Sequence, residues 1–445
     1  MNNPESKRFP FRMVFIAITI AIALAMALTL LKDFLNKNDA IQCIENSNQI
    51  CFHNSRIDER DLLEDRSMLF WSQKDVNEYY EKRQQAFKYY YPYNDKDRRR
   101  QRTMQINLDK HSKLYNNPIV EDGNITLPDY CNGHLDVVWT FVNSSDPHWI
   151  YLYEKYNRFV PKNRYQDYGS LKYSMRSVYS HIKFAKRWFL VVADKNQIPS
   201  YLDKFKFHSK NSDGIELNIV YHRDIFPKSS NLPTFNSNAI ESGFHNIKEL
   251  GECFIYLNDD FFIGSDLTAS FFFKSNGQMI TYVTQATVPV VDRDGSDWTV
   301  EVESTNTYLN DHYHTSIRRN FINHNCYLFR KSVLQEINNN FKQMNETRDH
   351  RFRKYSDVVV PFINGHYSIE KGYSVLRHEP YKEMVYFSIT NNLSSLRRVF
   401  NFVRKHQYKC FCINDEMTKG DITVQALAFK DAMDLLYIEK TPFEY

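Results

Sequence analysis

Four short apolar runs limit what this chain can fold into more than any other feature: Leu135–Val142, Arg187–Asp194, Ile215–His222 and Phe254–Asn258. Each is too brief for an ordinary helix and rich in Val, Ile, Leu and aromatic residues, so each reads as a buried strand. Helical spacing fills the intervals. In Gly169–Lys186 the apolar residues Leu171, Met175, Val178 and Ile182 recur at threes and fours. Ile240, Phe244 and Ile247 do the same within Asn236–Leu250, with Asn236 placed as a cap. Strands alternating with helices predict an α/β fold, Rossmann-like, with a mostly parallel sheet and flanking helices. Ligands of such sheets sit beyond the carboxyl ends of the strands. Ser332–Phe341 and Val424–Tyr437 also read as helices, whereas the remainder of 280–445 is mixed.

Upstream, Met13–Leu31 carries no charge. At ~1.5 Å per residue it reaches roughly 28 Å, close to a bilayer core. Lys7, Arg8 and Arg12 precede it and mixed charges follow, so the positive-inside rule makes 1–12 a cytoplasmic tail. Small residues at Ala23, Ala25 and Ala27 offer a cleavage site, but the run exceeds a usual signal-peptide core and favours an uncleaved anchor at 13–31. Residues 32–130 read as a polar stem, with a helix near Gln73–Tyr89 and a charged run at Asp95–Arg102; 131–445 reads as the catalytic domain. A type II membrane protein with a lumenal domain is the expectation. Seven cysteines suit an oxidising compartment. Cys43 and Cys51 are close enough to bridge. Cys410 and Cys412 are too close for an easy mutual bond, so each pairs elsewhere or stays free. A net charge of +4 argues against a nucleic-acid partner. The aromatic content of 15% suits either sugar-stacking surfaces or a Tyr/Phe-rich core.

Several clusters could carry chemistry. Asn258, Asp259 and Asp260 end an apolar run, which presents two carboxylates at a sheet edge where a hard divalent cation could meet a diphosphate. An acidic turn explains the pair equally well. Leu232–Glu241 (LPTFNSNAIE) places Asn and Ser donors at a helix start, with Glu241 and His245 four apart. Lys172 and Arg176 share a helix face and could receive phosphate oxygens, or simply face solvent. Asp136 and Asp146 flank the first strand, and Asn143 opens its closing turn. His324 could move a proton, and Arg353 could balance charge on a phosphoryl group. Neither a Walker A loop nor GxGxxG occurs, so phosphate binding would use a cation, cationic side chains and helix ends.

Taken in order, these stretches resemble the Stealth family, which includes microbial capsule hexose-phosphate transferases and the α/β subunit of animal N-acetylglucosamine-1-phosphotransferase. The first block is Asp136–Pro147 (DVVWTFVNSSDP), with Trp139 and Phe141 exchanged in type and Ser144 where Gly is usual. The second runs from Arg164 through LKYSMRSV, NQIPSYL and LPTFNSNAIE to FIYLNDDFF. The third is Arg319–Tyr327 with His350-Arg-Phe-Arg353 and Asp357, and has Asn325-Cys326-Tyr327 in place of a Met-Pro-His run. The fourth is Cys412–Asp415 with Pro442-Phe-Glu444. The resemblance implies transfer of a sugar-1-phosphate, typically from UDP-N-acetylglucosamine, to a hydroxyl of a glycan, glycoprotein or polysaccharide, releasing UMP. By matching position it implies Glu241, Asp260, His324 and Arg353 as catalytic residues, and Asp260 with Asp259 holding Mg²⁺ or Mn²⁺. Asp136, Asn143, Asp146, Lys172, Arg176, Asn236 and Asn258 would shape the donor pocket. It further implies a Golgi membrane and leaves room for a homodimer. The long inserted modules of the animal enzyme are missing between the first two blocks, which favours a compact transferase. A metal-dependent glycosyltransferase releasing UDP and a non-catalytic glycan-binding subunit are the competing readings.

Overall fold

The computed structural model describes residues 125–445 apart from 158–164, 166, 228–230, 289–296, 380–382, 391 and 418–422. The expected anchor at Met13–Leu31, the helix near Gln73–Tyr89, the Asp95–Arg102 run and the Cys43–Cys51 pair lie outside the described residues.

All four sequence-predicted strands form, the first three slightly trimmed and the fourth shifted by one residue: β1 (Asp136–Thr140), β2 (Arg187–Val192), β3 (Glu216–Tyr221) and β4 (Cys253–Leu257). They pair in parallel in the order β3-β2-β1-β4. Their side chains explain why. Val137, Val138, Trp139, Leu190 and Ile255 are fully buried, so both faces of the central strands are covered. The chain then adds β5 (Phe261–Ile263), β6 (Met279–Thr287), β7 (Asn320–Ile322), β8 (Tyr327–Arg330), β9 (Ser374–His378), β10 (Met384–Ile389) and β11 (Cys410–Asp415).

These later strands correct the expected Rossmann-like, mostly parallel architecture. β8 joins the first sheet antiparallel to β4. A second sheet, β10-β11-β5, is parallel at one pairing and antiparallel at the other, as is a third, β7-β6-β9. The molecule is therefore a mixed α/β fold in which every sheet is mixed. Strands as short as β5, β7 and β8 carry too few residues for a period-two signal, which is why the sequence pattern missed them.

The helix expected over Gly169–Lys186 forms at Ser170–His181, and the two C-terminal helices form at Lys331–Asn340 and Thr423–Leu436. The one expected over Asn236–Leu250 stops early. It runs over Ser237–Glu241 and is followed by a single 3₁₀ turn at Phe244–Asn246. The Ser242 hydroxyl donates to the Ala239 carbonyl at the break, competing for a helix C-terminal acceptor. Among the described residues no helix is long and apolar enough to cross a membrane. The expected single-pass type II placement with a lumenal Golgi domain is therefore not supported by the described residues.

Among the described residues two disulfides brace the sheets. Cys131–Cys253 ties the segment before β1 to β4, and Cys326–Cys410 ties the approach to β8 to β11, joining the first sheet to the second. Cys410 thus pairs at a distance, and Cys412 is a buried free thiol, as their spacing predicted. Much of the aromatic content is core. Phe254, Phe261, Phe262 and Phe271 are all fully buried.

Candidate active site

β4 ends at Leu257, and the Phe261 N–H donates to the Asn258 carbonyl at 3.2 Å. This turn carries the chain out of the first sheet and into the second, as β5. Asn258–Asp260 therefore stand at a fork between two sheets, beyond the carboxyl end of β4. A cavity of about 1260 Å³ opens there, lined by Asn258, Asp259, Asp260, His324 and Arg353 among others. One end lies against the carboxyl ends of β1 to β3 (Thr140–Val142, Ala193, His222), the other against β6, β7 and β10.

The Tyr256 hydroxyl organises the floor. It lies 3.1 Å from the Thr140 hydroxyl, and donates within 3.1 Å of Glu241 Oε1 and 2.6 Å of Asn258 Oδ1. With one proton to share, it ties the ends of β1 and β4 to the helix Ser237–Glu241. Glu241 is buried at 6% exposure, and its second oxygen has no hydrogen-bond partner. Burial pushes its pKa up to about 7 against the pull of the Arg353 guanidinium. Glu241 stands behind the cavity wall formed by its neighbours Ser237 and Ile240.

Asp259 and Asp260 are half-buried at the fork. Burial raises Asp260 to about 6, opposed by the Cys412 thiol, which donates to Oδ2 at 3.2 Å. Asp259 is raised further, by burial and then by the charges of Asp260 and Asp167. Adjoining carboxylates whose ionised forms are this costly suit a hard cation. No group of three or more His, Cys, Asp or Glu poised for a metal occurs among the described residues. The pair can therefore hold Mg²⁺ or Mn²⁺ only with ligand oxygens or water completing the shell.

Arg353 enters from a loop in which each residue is docked. His350 Nδ1 meets Asp357 Oδ1 at 2.5 Å, and Arg351 Nε donates to the Pro233 carbonyl at 2.8 Å. Phe352 stacks on Phe235 and packs edge-on to Tyr153. That leaves Arg353 pointing inward, donating to Ser237 Oγ at 2.6 Å and to Glu301 Oε2 at 3.4 Å. His324 sits across from it, ringed by Phe261, Tyr327 and Tyr386, with Nδ1 2.9 Å from the Tyr327 hydroxyl. Burial, and then the Arg353 charge, lower its pKa to about 4, so the imidazole is neutral at pH 7.

Other sequence-nominated residues hold the scaffold. Asp136 lies at the amino end of β1, away from the cavity, where its Oδ2 accepts the Gly251 N–H at 2.7 Å. A Cβ on Gly251 would stand 2.9 Å from that oxygen, which is why glycine is there. Arg176 is fully buried, with Nε and Nη2 on the Glu444 carboxylate and Nη1 on the Tyr437 carbonyl, so it does not face a ligand. Asn143 accepts the Ser145 N–H in a turn. Asp146 caps the helix Pro147–Tyr156 through the His148 N–H and accepts from Gln197. Lys172 lies over the Tyr173 and Tyr201 rings. Asn236 is buried, capping Asn238 and donating to Asp357 Oδ2 at 2.7 Å, which positions the Arg353 loop from below. Of the nominated donor residues, Asn258 alone lines the cavity.

Sequence reasoning missed Tyr256, Glu301, His222, Trp298 and Tyr386. Tyr256 sat inside an apolar run and looked like core; Glu301 and Trp298 belong to the helix Asp297–Tyr313, which went unread. Asn414 and Asp415, within the fourth block, do line the cavity, while Glu444 of the same block holds Arg176.

The model of Stealth protein conserved region 2 matches residues 164–281, and that of conserved region 3 matches residues 323–370. A capsular polysaccharide phosphotransferase of Haemophilus influenzae is 30% identical over 337 residues, which cover 71% of this chain and 84% of that protein. The chain belongs to the Stealth family. An exopolysaccharide phosphotransferase of Streptomyces coelicolor is 31% identical over 327 residues, 72% of this chain and 53% of its own length. A second from that organism is 28% identical over 322 residues and is covered to 51%, so the chain spans about half the length of these Streptomyces relatives. A solved galactosyltransferase complex with donor and acceptor sugar analogues aligns over 69% of this chain and 97% of its own, at 11% identity and a TM-score of 0.35. Both matched regions bear on the site. The first contains Glu241, Asp259 and Asp260 and the second His324 and Arg353, so this Stealth chain brings residues of both regions to one cavity.

Proposed function

We propose that this chain is a phosphotransferase that moves a sugar-1-phosphate, N-acetylglucosamine-1-phosphate in the first instance, from a UDP-sugar to a hydroxyl of a polysaccharide or related glycan. The observation that carries this reading is the convergence of two raised carboxylates, a guanidinium and a neutral imidazole on one cavity at a strand-end fork. The phosphotransferase names of its relatives agree with it.

The nucleotide lies along the carboxyl ends of β1 to β3, which places the diphosphate between the Asp259–Asp260 fork and Arg353. Mg²⁺ or Mn²⁺ bound by those carboxylates would screen the diphosphate's charge. His324 stands on the acceptor side. With Nδ1–H donating to the Tyr327 oxygen, its Nε2 lone pair takes the proton of the acceptor hydroxyl. The hydroxyl oxygen attacks the phosphorus that bears the sugar. A new P–O bond forms, the bridging P–O bond to the nucleoside monophosphate breaks, and UMP departs. Arg353, held in place by Ser237 and Glu301, balances the charge on the phosphoryl oxygens in flight. Glu241 acts on this centre from behind the wall, through Tyr256 and Arg353.

The test is direct. The purified full chain is incubated with a panel of UDP-sugars, Mg²⁺ or Mn²⁺ and simple glycosides, and the nucleotide product is separated. UMP with a phosphodiester-linked sugar is the expected outcome. UDP would instead identify a glycosyltransferase, and glycan binding without either nucleotide would identify a binding subunit. Asp260→Asn and Arg353→Ala variants that transferred at the native rate would overturn the residue roles.

A further inference from the structure

We infer that the end of the cavity facing away from the nucleotide is an acceptor subsite in which a hexopyranose ring of a glycan stacks between Trp298 and Tyr386, presenting a hydroxyl to His324. This inference rests on the reading above for the word acceptor; the carbohydrate subsite itself rests on geometry.

Trp298 and Tyr386 come from different parts of the chain, the helix Asp297–Tyr313 and β10, yet both line the cavity. Both remain open, at 38% and 46% exposure, although the surrounding aromatic residues Phe261 and Tyr327 are buried. Trp298 is held flat by a stacked contact with Phe321 of β7, centroids 5.5 Å apart and planes 20° from parallel. One face of the indole is therefore backed by protein.

The two rings flank the base of the proposed reaction. The Trp298 centroid lies 6.5 Å from the His324 ring and the Tyr386 centroid 5.7 Å from it, on edge-to-face geometries of 74° and 66°. A pyranose has apolar C–H faces and a polar hydroxyl rim, so aromatic faces take the former and leave the latter to polar groups. Gln285 and Glu379 line the same end of the cavity and supply such groups. Glu379 is raised to about 7 by burial, so it can offer an O–H as well as accept. A nucleoside base also stacks on aromatic rings. The Trp298 end, however, is built from β6, β7 and β10, and lies away from the strand ends at which nucleotides sit in parallel sheets.

The experiment measures binding of dextran, cellulose and chitin hexasaccharides to the full chain, by saturation-transfer NMR and equilibrium dialysis, without donor. Binding of UDP-N-acetylglucosamine is measured beside it. At least one hexasaccharide is expected to bind. Trp298→Ala and Tyr386→Ala should each weaken that binding about tenfold, the worth of one aromatic face. Trp298→Phe should keep most of it, and donor affinity should stay within about twofold throughout. Thermal melts check that the variants fold. Failure of every hexasaccharide to bind, unchanged glycan binding in both alanine variants, or loss of donor affinity in place of glycan affinity would each overturn the subsite. Release of UDP in place of UMP would overturn the phosphotransfer reading while leaving this subsite standing, so the two failures are distinguishable.

Discussion

At the scale of single residues, the candidate proton acceptors are separated by what surrounds them. His324 has its pKa lowered to about 4 and Glu241 has its own raised to about 7, both chiefly by burial. A rate limb in kcat/KM that rises through about pH 4 and is flat by neutrality marks His324 as the base of the free enzyme, whereas a limb near 7 marks Glu241. The first outcome is expected, because His324 lines the cavity and Glu241 stands behind it. Arg353 is also the charge that helps hold the imidazole down. A bound diphosphate cancels that charge, so the limb in kcat should lie above the limb in kcat/KM. His324→Ala should lower turnover by about 10²–10⁴-fold. Glu241 carries a separate stability prediction. Its folded pKa lies above the usual 4.5, so its contribution is whole below about pH 4.5 and is lost as pH rises through 7. Glu241→Gln should therefore melt close to wild type near pH 4.5 and higher than wild type at pH 8, by up to about 3 kcal/mol. Equal pH dependence of the two melting curves would sink the assignment of Glu241 as the uncompensated buried acid. Of these residues, Asp260, His324 and Arg353 were legible in the sequence through their order and neighbours. Their tuning was not, since Cys412 reaches Asp260 and Glu301 reaches Arg353 only through tertiary contacts.

At the scale of elements, the loop His350–Arg353 shows how short motifs act. Short continuous apolar runs located β1 to β4 because central strands are buried on both faces. The same reasoning said nothing of this loop, which has no period. Its conformation is set by Asp357, whose carboxylate meets His350 Nδ1 and accepts the Asn236 amide at 2.7 Å and the Lys354 N–H at 2.9 Å. The Phe235 N–H donates to the Arg351 carbonyl at 2.8 Å, so LPTFNSNAIE and His350–Arg353 are strapped into one unit although distant in sequence. Asp357→Ala removes the carboxylate shared by His350 Nδ1, the Asn236 amide and the Lys354 N–H, which costs about 2–4 kcal/mol. Urea unfolding should show that loss. Turnover should fall more than donor affinity, because Arg353 would be misplaced in the transition state rather than removed. Asp357→Asn retains an acceptor for at least one of those donors and should fall between the two. A variant Asp357→Ala with native stability and native turnover would show that Phe352 packing alone sets the loop.

At the scale of the whole molecule, the pair Arg176–Glu444 decides how the last helix meets the first sheet. Spacing placed Arg176 on a helix face beside Lys172, where a phosphate ligand and a solvated cation looked alike. Its partner, 268 positions away, could not be read from any local pattern. Burial works against the guanidinium's charge, and the Glu444 carboxylate at 2.5 Å, with Asp434 at 3.8 Å, more than offsets it and holds the pKa above its usual value. The Tyr437 carbonyl takes a further N–H, and the Tyr437 hydroxyl donates to the Ile263 carbonyl of β5. The helix Thr423–Leu436 is thereby fastened to both the helix Ser170–His181 and the second sheet, behind the wall that carries Asn414 and Asp415. Glu444→Ala strips a buried cation of its main partner and should destabilise the fold by about 3–5 kcal/mol. The double variant Arg176→Met with Glu444→Leu removes both charges and should recover most of that loss, because two apolar side chains no longer need each other's charge. Calorimetric melts of the two variants separate this reading from a ligand role. If Arg176 bound donor phosphate, the double variant would regain stability but lose UDP-sugar affinity; with Arg176 sealed against Glu444, affinity should follow the recovered fold.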